Sequence, residues 1–160
     1  MRIGILSDSH GRVEMVEKAF ALLEGLGVEA FFHCGDVGGQ EVLDLFVGRK
    51  IWFVWGNMDL PGPGVEEFLT TTGLTVPTVP IRVELAGKSI AMCHGHESAF
   101  RRLRSMADSD YLFYGHTHSR ADERLGGCRM INPGALHRAQ PRTVAALDLS
   151  SDELTYHEVE

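Results

Sequence analysis

Seven candidate ligands of metal-binding type stand in short polar clusters along the chain. Asp8 and His10 stand in "DSH" (8–10), Asp36 in "GD" (35–36), Asn57 in "GN" (56–57), His94 in "HGH" (94–96), and His116 and His118 in "GHTH" (115–118). Neutral imidazoles with carboxylate and amide oxygens form a mixed N/O donor set. Such a set suits Mn, Fe, Co, Ni or Zn rather than calcium, and without thiolates it does not resemble a structural zinc site. One ion needs only about half of these donors, so the count favours two. Two ions about 3.5–4 Å apart need a bridging carboxylate and can also hold a hydroxide between them for in-line attack on phosphorus. Taken singly, each residue has an ordinary explanation. An Asp after a strand is commonly a turn residue or a helix cap, and a lone histidine is commonly surface or satisfied core. The reading rests on the coincidence of type and place.

That place is set by the elements between the clusters. "RIGIL" (2–6) reads as a buried strand. "VEMVEKAFALLEGLG" (13–27) sets Val13, Val16, Phe20 and Leu23 at helical steps ahead of a glycine stop. "AFFHC" (30–34), "GQEVLDLF" (39–46) and "IWFVW" (51–55) continue as strand, short helix and strand, so a parallel, helix-covered sheet is expected. Further on, "IRVEL" and "IAMC" form a hairpin about "AGKS", "SAFRRLRSM" is helical, and "YLFY", "CRMI", "TVAALDL" and "ELTYHEV" are strands, with Ser150-Ser151-Asp152 as the last turn. Residues 61–80, rich in Gly, Thr and Pro, read as the most mobile stretch. The expected fold class is α/β, a four-layer α/β/β/α sandwich of two packed mixed sheets flanked by helices, in one domain spanning 1–160. In such sheets the carboxyl ends of parallel strands converge on one crevice, and nearly every candidate ligand follows a strand.

Composition bounds the partners. The 15 basic and 22 acidic residues give a net charge of −7 with no dense Lys/Arg block, so nucleic-acid binding is disfavoured. Two dications against Asp8 and Asp36 would nonetheless leave the site locally positive, as an anionic phosphate ester requires. The start of the chain has no basic-then-apolar signal, and no apolar run reaches the ~20 residues of a membrane span. Cys34, Cys93 and Cys128 lack C-x-x-C spacing and read as small buried hydrophobes. The expectation is a cytoplasmic protein with no membrane partner.

The five clusters, in this order, resemble the motifs of the calcineurin-like metallophosphoesterases. Size, short spacings and "INPGA" (131–135) make the chain similar to the small bacterial and archaeal phosphodiesterase branch, from Arg2 to about Leu149. The resemblance implies that Asp8, His10 and His118 hold one metal, that Asn57, His94 and His116 hold the other, and that Asp36 bridges. It implies two divalent transition-metal ions per chain, Mn²⁺ first, with Fe²⁺, Ni²⁺, Co²⁺ and Zn²⁺ as alternatives. It implies hydrolysis of small phosphodiesters by a metal-bridging hydroxide, and it leaves a homodimer or homotetramer open. Asp36, Asn57 and His96 are the candidate catalytic residues. Asn57 can coordinate through oxygen and donate through nitrogen, and His96 is the imidazole left over for substrate or for a supporting role. The other reading is a metal-binding interaction scaffold of the same fold, as the retromer subunit resembles the family, and the intact ligand set speaks against it. "INPGA" is either a loop that shapes the site or an ordinary turn. Arg101, Arg102 and Arg104 read as a solvated helix face, and His33 and His137 match no motif.

Met58 departs from the resemblance. Much of the superfamily carries a histidine there beside an acidic residue, as a proposed general acid. Methionine donates no proton, which typically costs a factor on the order of 10²–10⁴ with poor leaving groups. Activity biased toward activated aryl esters is expected unless His96 or Asp59 supplies the proton.

Overall fold

The computed structural model describes residues 1–160. Its first half alternates β1 (Arg2–Leu6), α1 (Val13–Gly25), β2 (Ala30–His33), α2 (Gln40–Phe46) and β3 (Ile51–Phe53), followed by α3 (Val65–Thr72). The second half is β4 (Ile81–Leu85), β5 (Lys88–Met92), α4 (Ser98–Met106), β6 (Tyr111–Phe113), β7 (Ala121–Leu125), β8 (Cys128–Asn132), β9 (Thr143–Asp148) and β10 (Glu153–Glu158). The strands form two five-stranded sheets, in the orders β10-β9-β1-β2-β3 and β4-β5-β6-β8-β7. Three strands of each run parallel, β1-β2-β3 on one side of the first sheet and β5-β6-β8 in the middle of the second.

The two-residue period of the strands sorts their side chains into layers. In β1, Ile3 and Ile5, with Phe32 of β2 beside them, face the second sheet and share a core with its Ile90, Met92 and Phe113. Leu6 faces the opposite way, onto Val16, Phe20 and Leu23 of α1 and the apolar residues of α2. Val144 and Ala146 of β9 join that helix-side core, while Ala145 and Leu147 join the core between the sheets. A third cluster packs Leu103 of α4 against Ala91, Leu112 and Met130 on the far face of the second sheet. The expected α/β/β/α order of layers is thus present.

Two elements escaped the sequence pattern, and a third is shorter than expected. α3 lies within the stretch that reads as mobile. Its ends are set by Gly64 and Gly73, both left-handed (φ 86° and 77°). Its Thr70, Thr71 and Thr72 hydroxyls bond back to carbonyls of Glu66, Glu67 and Phe68, and Leu69 anchors it in the core. β7 reads "ADERL", with no apolar alternation, because it is an exposed edge strand. Pairing with β8 holds it, and Asp122 accepts two bonds from the guanidinium of Arg129. β3 ends at Phe53, so Val54 and Trp55 already belong to the loop leading to Asn57. No helix is long and apolar enough to cross a membrane.

Candidate metal centre

All six parallel strands deliver a loop to the same end of the molecule. β1 leads to Asp8 and His10, β2 to Asp36, β3 to Asn57, β5 to His94, β6 to His116 and His118, and β8 to the "INPGA" loop. Five of the nine non-glycine residues with positive φ are Asp8, His10, Asp36, His116 and His118. Left-handed backbone costs a non-glycine residue energy, so its concentration on these donors marks loops bent to aim side chains rather than to connect strands.

The donors meet. His118 Nε2 lies 3.2 Å from Asp8 Oδ1, with His94 Nε2 at 3.9 Å and His10 Nε2 at 4.0 Å from the same oxygen. Asp36 Oδ2 is 3.4 Å from both His10 Nε2 and His94 Nε2. Asn57 Oδ1 is 3.1 Å from His94 Nε2 and 3.0 Å from His116 Nδ1. Asp8, His10 and His118 make one compact group, and Asp8, Asp36 and His94 make a second that shares Asp8. Asn57 and His116 adjoin the second group through Asn57 Oδ1. All seven sequence-predicted ligands are therefore brought together.

The donor chemistry fits a cation. Asp8 is fully buried; its Oδ2 accepts from the Ser7 hydroxyl at 2.6 Å and from the His116 amide at 3.1 Å, yet its buried Oδ1 has no hydrogen-bond partner, and neither does His10 Nε2. A buried unpartnered carboxylate oxygen is costly unless a positive charge reaches it. The ring of His94 is oriented by the carbonyl of Cys34, 2.7 Å from Nδ1. A carbonyl only accepts, so Nδ1 carries the proton and the Nε2 lone pair of the neutral ring faces the oxygens of Asp36 and Asn57. Acceptors turned toward acceptors in this way await a metal. In the metal-free chain burial opposes the charged form of His94, but Asp36 and the Cys34 carbonyl outweigh it and raise the imidazole pKa. Burial likewise pushes the Asp36 carboxyl up, yet His94 and the Met58 amide prevail and hold it at about 2.

A supporting layer holds these loops, and most of it is invisible in the motif pattern. Asp59 accepts from the amides of Gly56 (2.8 Å), Val37 (3.0 Å) and Gly38 (2.8 Å), stapling the Asn57 loop to the Asp36 loop. Glu97 does the same for "HGH", accepting from the amides of His94 and Gly95 at 2.9 and 2.7 Å. Each acid accepts one amide from three residues back, Gly56 for Asp59 and His94 for Glu97, but the cross-loop bonds of Asp59 to Val37 and Gly38 have no local signal. His33 is fully buried; its Nδ1 accepts from the Gly35 amide, so its Nε2–H donates to Ser9 Oγ, which itself donates to the Val37 carbonyl. Gly56 is needed for space, since a Cβ there would sit 2.1 Å from Asp36 Oδ1. At Gly115 a Cβ would meet Ser7 Oγ at 2.0 Å and Asp8 Oδ2 at 2.7 Å. The "INPGA" loop shapes the site, with Asn132 Nδ2 donating to the Gly115 carbonyl and the Leu136 amide donating to Ser7.

The remaining candidates divide. His96 is exposed, with its ring 5.4 Å from that of His94 and 6.0 Å from that of His116, and Nδ1 3.6 Å from Glu97. Arg101, Arg102 and Arg104 lie on an exposed face, where Arg104 pairs with Glu123. Met58 is 64% exposed and serves the site through its backbone, donating its amide to Asp36 Oδ1 at 2.8 Å.

A sequence profile of the calcineurin-like phosphoesterase superfamily domain matches residues 1–152. The chain belongs to this superfamily. Phosphodiesterase MJ0936 of Methanocaldococcus jannaschii is 30% identical over 138 residues, which cover 84% of this chain and 83% of the relative. Phosphodiesterase YfcE of Escherichia coli K12 is 26% identical over 151 residues, 85% of this chain and 79% of the relative. The solved structure of an archaeal phosphodiesterase superimposes with a TM-score of 0.88 at 27% identity, over 99% of this chain and all of that one. Family and fold together make the chain a phosphoesterase.

Proposed function

We propose that residues 1–160 form a single metallophosphoesterase domain that hydrolyses small phosphodiesters at a dinuclear metal centre. Asp8, His10 and His118 hold one ion, Asn57, His94 and His116 hold the other, and Asp36 lies between them. One observation carries this reading. Asp36 Oδ2 stands 3.4 Å from His10 Nε2 of one set and 3.4 Å from His94 Nε2 of the other, while Oδ1 is committed to the Met58 amide. An oxygen equidistant from both sets, with its sister oxygen tied down, is what a bridging carboxylate requires.

Divalent ions at this centre, Mn²⁺ foremost among Mn²⁺, Fe²⁺, Co²⁺, Ni²⁺ and Zn²⁺, supply when bound the polarisation of phosphoryl oxygens and the activation of water at neutral pH. The chain's own residues do the positioning. Asn57 turns its oxygen to the donor set and keeps its amide hydrogens for a phosphate oxygen. His96 overhangs the same rim and contacts the ester. Asp59 does not serve as proton donor, because its carboxylate is occupied by three backbone amides. The names of the relatives favour diesters over monoesters. The complete donor set favours an enzyme over an interaction scaffold, and three buried free thiols accord with the reducing cytoplasm.

The test uses protein stripped of metal and resupplied with Mn²⁺, assayed on bis-p-nitrophenyl phosphate beside Asp36→Ala. Wild type should hydrolyse the ester, and the variant should lose on the order of 100-fold. Wild type and variant equally inactive with Mn²⁺, Fe²⁺, Ni²⁺ and Zn²⁺ would remove the proposal's support.

A further inference from the structure

Beside the metal centre lies a pocket of about 400 Å³ whose lining includes Arg12, Glu14, His137 and Arg142. It is joined to the centre through one imidazole. The ring of His137 lies 5.1 Å from that of His10, and Arg12 Nε donates to His137 Nδ1 at 3.3 Å. Its lining holds two exposed arginines in a chain of net charge −7. Arg2, Arg49, Arg82, Arg104, Arg124 and Arg129 each face a carboxylate. Arg12 and Arg142, like Arg101, Arg102, Arg120 and Arg138, do not; what sets these two apart is that they line one pocket with His137 beside the metal centre. The one acid in the lining, Glu14, is turned to Lys18 at 2.9 Å.

We propose that this pocket binds a second anionic group of the substrate, a phosphate carried close to the scissile one. The proposal rests on the phosphodiesterase reading, which supplies the first phosphate at the metal centre. A guanidinium offers a planar pair of N–H donors that match phosphate oxygens, and His137, with Nδ1 accepting from Arg12, presents Nε2–H as a further donor. Two guanidinium groups and an imidazole N–H lining one pocket suit a charged oxyanion better than an apolar group. A second groove, lined by Trp55, Met58, Leu60, Pro61 and Val65 among others, contains no Lys, Arg or His. The substrate class is therefore a small phosphodiester with one further phosphate, as in a nucleoside 3′,5′-bisphosphate ester.

Equilibrium binding tests the pocket without turnover. Mn²⁺-loaded protein is titrated calorimetrically with thymidine 3′,5′-bisphosphate and with thymidine 5′-monophosphate. The bisphosphate should bind roughly tenfold tighter, an advantage that shrinks as salt is raised. Arg142→Gln, at a side chain with no partner to lose, and Arg12→Gln should each abolish most of that advantage while leaving the monophosphate affinity in place. Equal binding of the two nucleotides by wild type, or variants that weaken both alike, would overturn the pocket. Affinity that climbs steadily with the length of an oligothymidylate would overturn it in favour of a polyanion track. Turnover of thymidine 5′-(p-nitrophenyl phosphate), with and without a 3′-phosphate, separates the two levels. A bisphosphate preference without hydrolysis of either ester refutes the phosphodiesterase reading, whereas hydrolysis of both with equal KM refutes the pocket.

Discussion

Asp59→Asn is an isosteric change whose consequence can be worked from the geometry. The carboxylate accepts three amides: Oδ2 takes Gly56 at 2.8 Å and Val37 at 3.0 Å, and Oδ1 takes Gly38 at 2.8 Å. An asparagine can present its one oxygen to Gly56 and Val37, but its NH₂ then points at the Gly38 N–H, donor against donor. One charge-assisted bond is lost, with the exposed Gly38 amide turning to water, and the other two become neutral, together about 1–2 kcal/mol. For a chain of this size that is a fall in Tm of roughly 2–8 °C. The same staple fixes the Asn57 loop against the Asp36 loop, so Mn²⁺ affinity should fall on the order of 10-fold, in the range of losses seen when groups that orient metal ligands are changed. Scanning calorimetry of the metal-free protein and Mn²⁺ titration would measure the two effects. A positioning role predicts that both change while the alkaline limb of the pH–rate profile, where a proton donor would lose its proton, keeps its shape. If Asp59→Asn left Tm and Mn²⁺ binding untouched but abolished the alkaline limb, Asp59 would be the proton donor and the positioning role would be refuted.

Three further outcomes follow from the same geometry. Gly56→Ala places a methyl 2.1 Å from Asp36 Oδ1 and 2.4 Å from its backbone nitrogen, so it should cost about 1–3 kcal/mol and weaken metal binding; a variant with wild-type denaturant midpoint and metal content would contradict this. His33 is held neutral, mainly by burial and then by His94, with its pKa lowered to about 3 from an ordinary 6.5. Below pH 6.5 the unfolded chain therefore binds a proton that the native state refuses. Stability should fall by up to about 1.4 kcal/mol per pH unit on acidification from 6.5 toward 3, with no contribution above 6.5. His33→Gln should flatten that slope in denaturant titrations, and an unchanged slope would count against a neutral His33. Met58→His should raise hydrolysis of alkyl diesters by at least about 10-fold with little gain on p-nitrophenyl esters. No gain, beside a wild type that already cleaves alkyl esters well, would show that the proton comes from elsewhere.

Ligand types and strand ends were legible in the sequence because a metal site needs donors that few other roles demand, and because parallel strands bring their carboxyl ends together. The packing was legible for a related reason: the alternation that sends Ile3 and Ile5 one way and Leu6 the other is local. What escaped was held by contacts with no local signal. α3 depends on left-handed glycines and on Leu69, with Val65 and Phe68 half-buried beside it, amid threonines that are weak helix formers. β7 depends on its neighbour and on Arg129. The supporting residues escaped for a third reason. Asp59, Glu97 and His33 bind backbone amides or a hydroxyl of loops whose paths exist only once the chain is folded. Gly56 reads as a turn glycine, yet what demands it is the closeness of Asp36.

The most direct test of the account is to count Mn²⁺ on the chain at equilibrium and record its paramagnetic resonance spectrum. Two ions per wild-type chain with an exchange-coupled signal, and loss of that coupling in Asp36→Ala, is the result predicted for a carboxylate oxygen placed 3.4 Å from an imidazole of each set. A single uncoupled ion per chain, or coupling that survives in Asp36→Ala, would contradict the dinuclear centre.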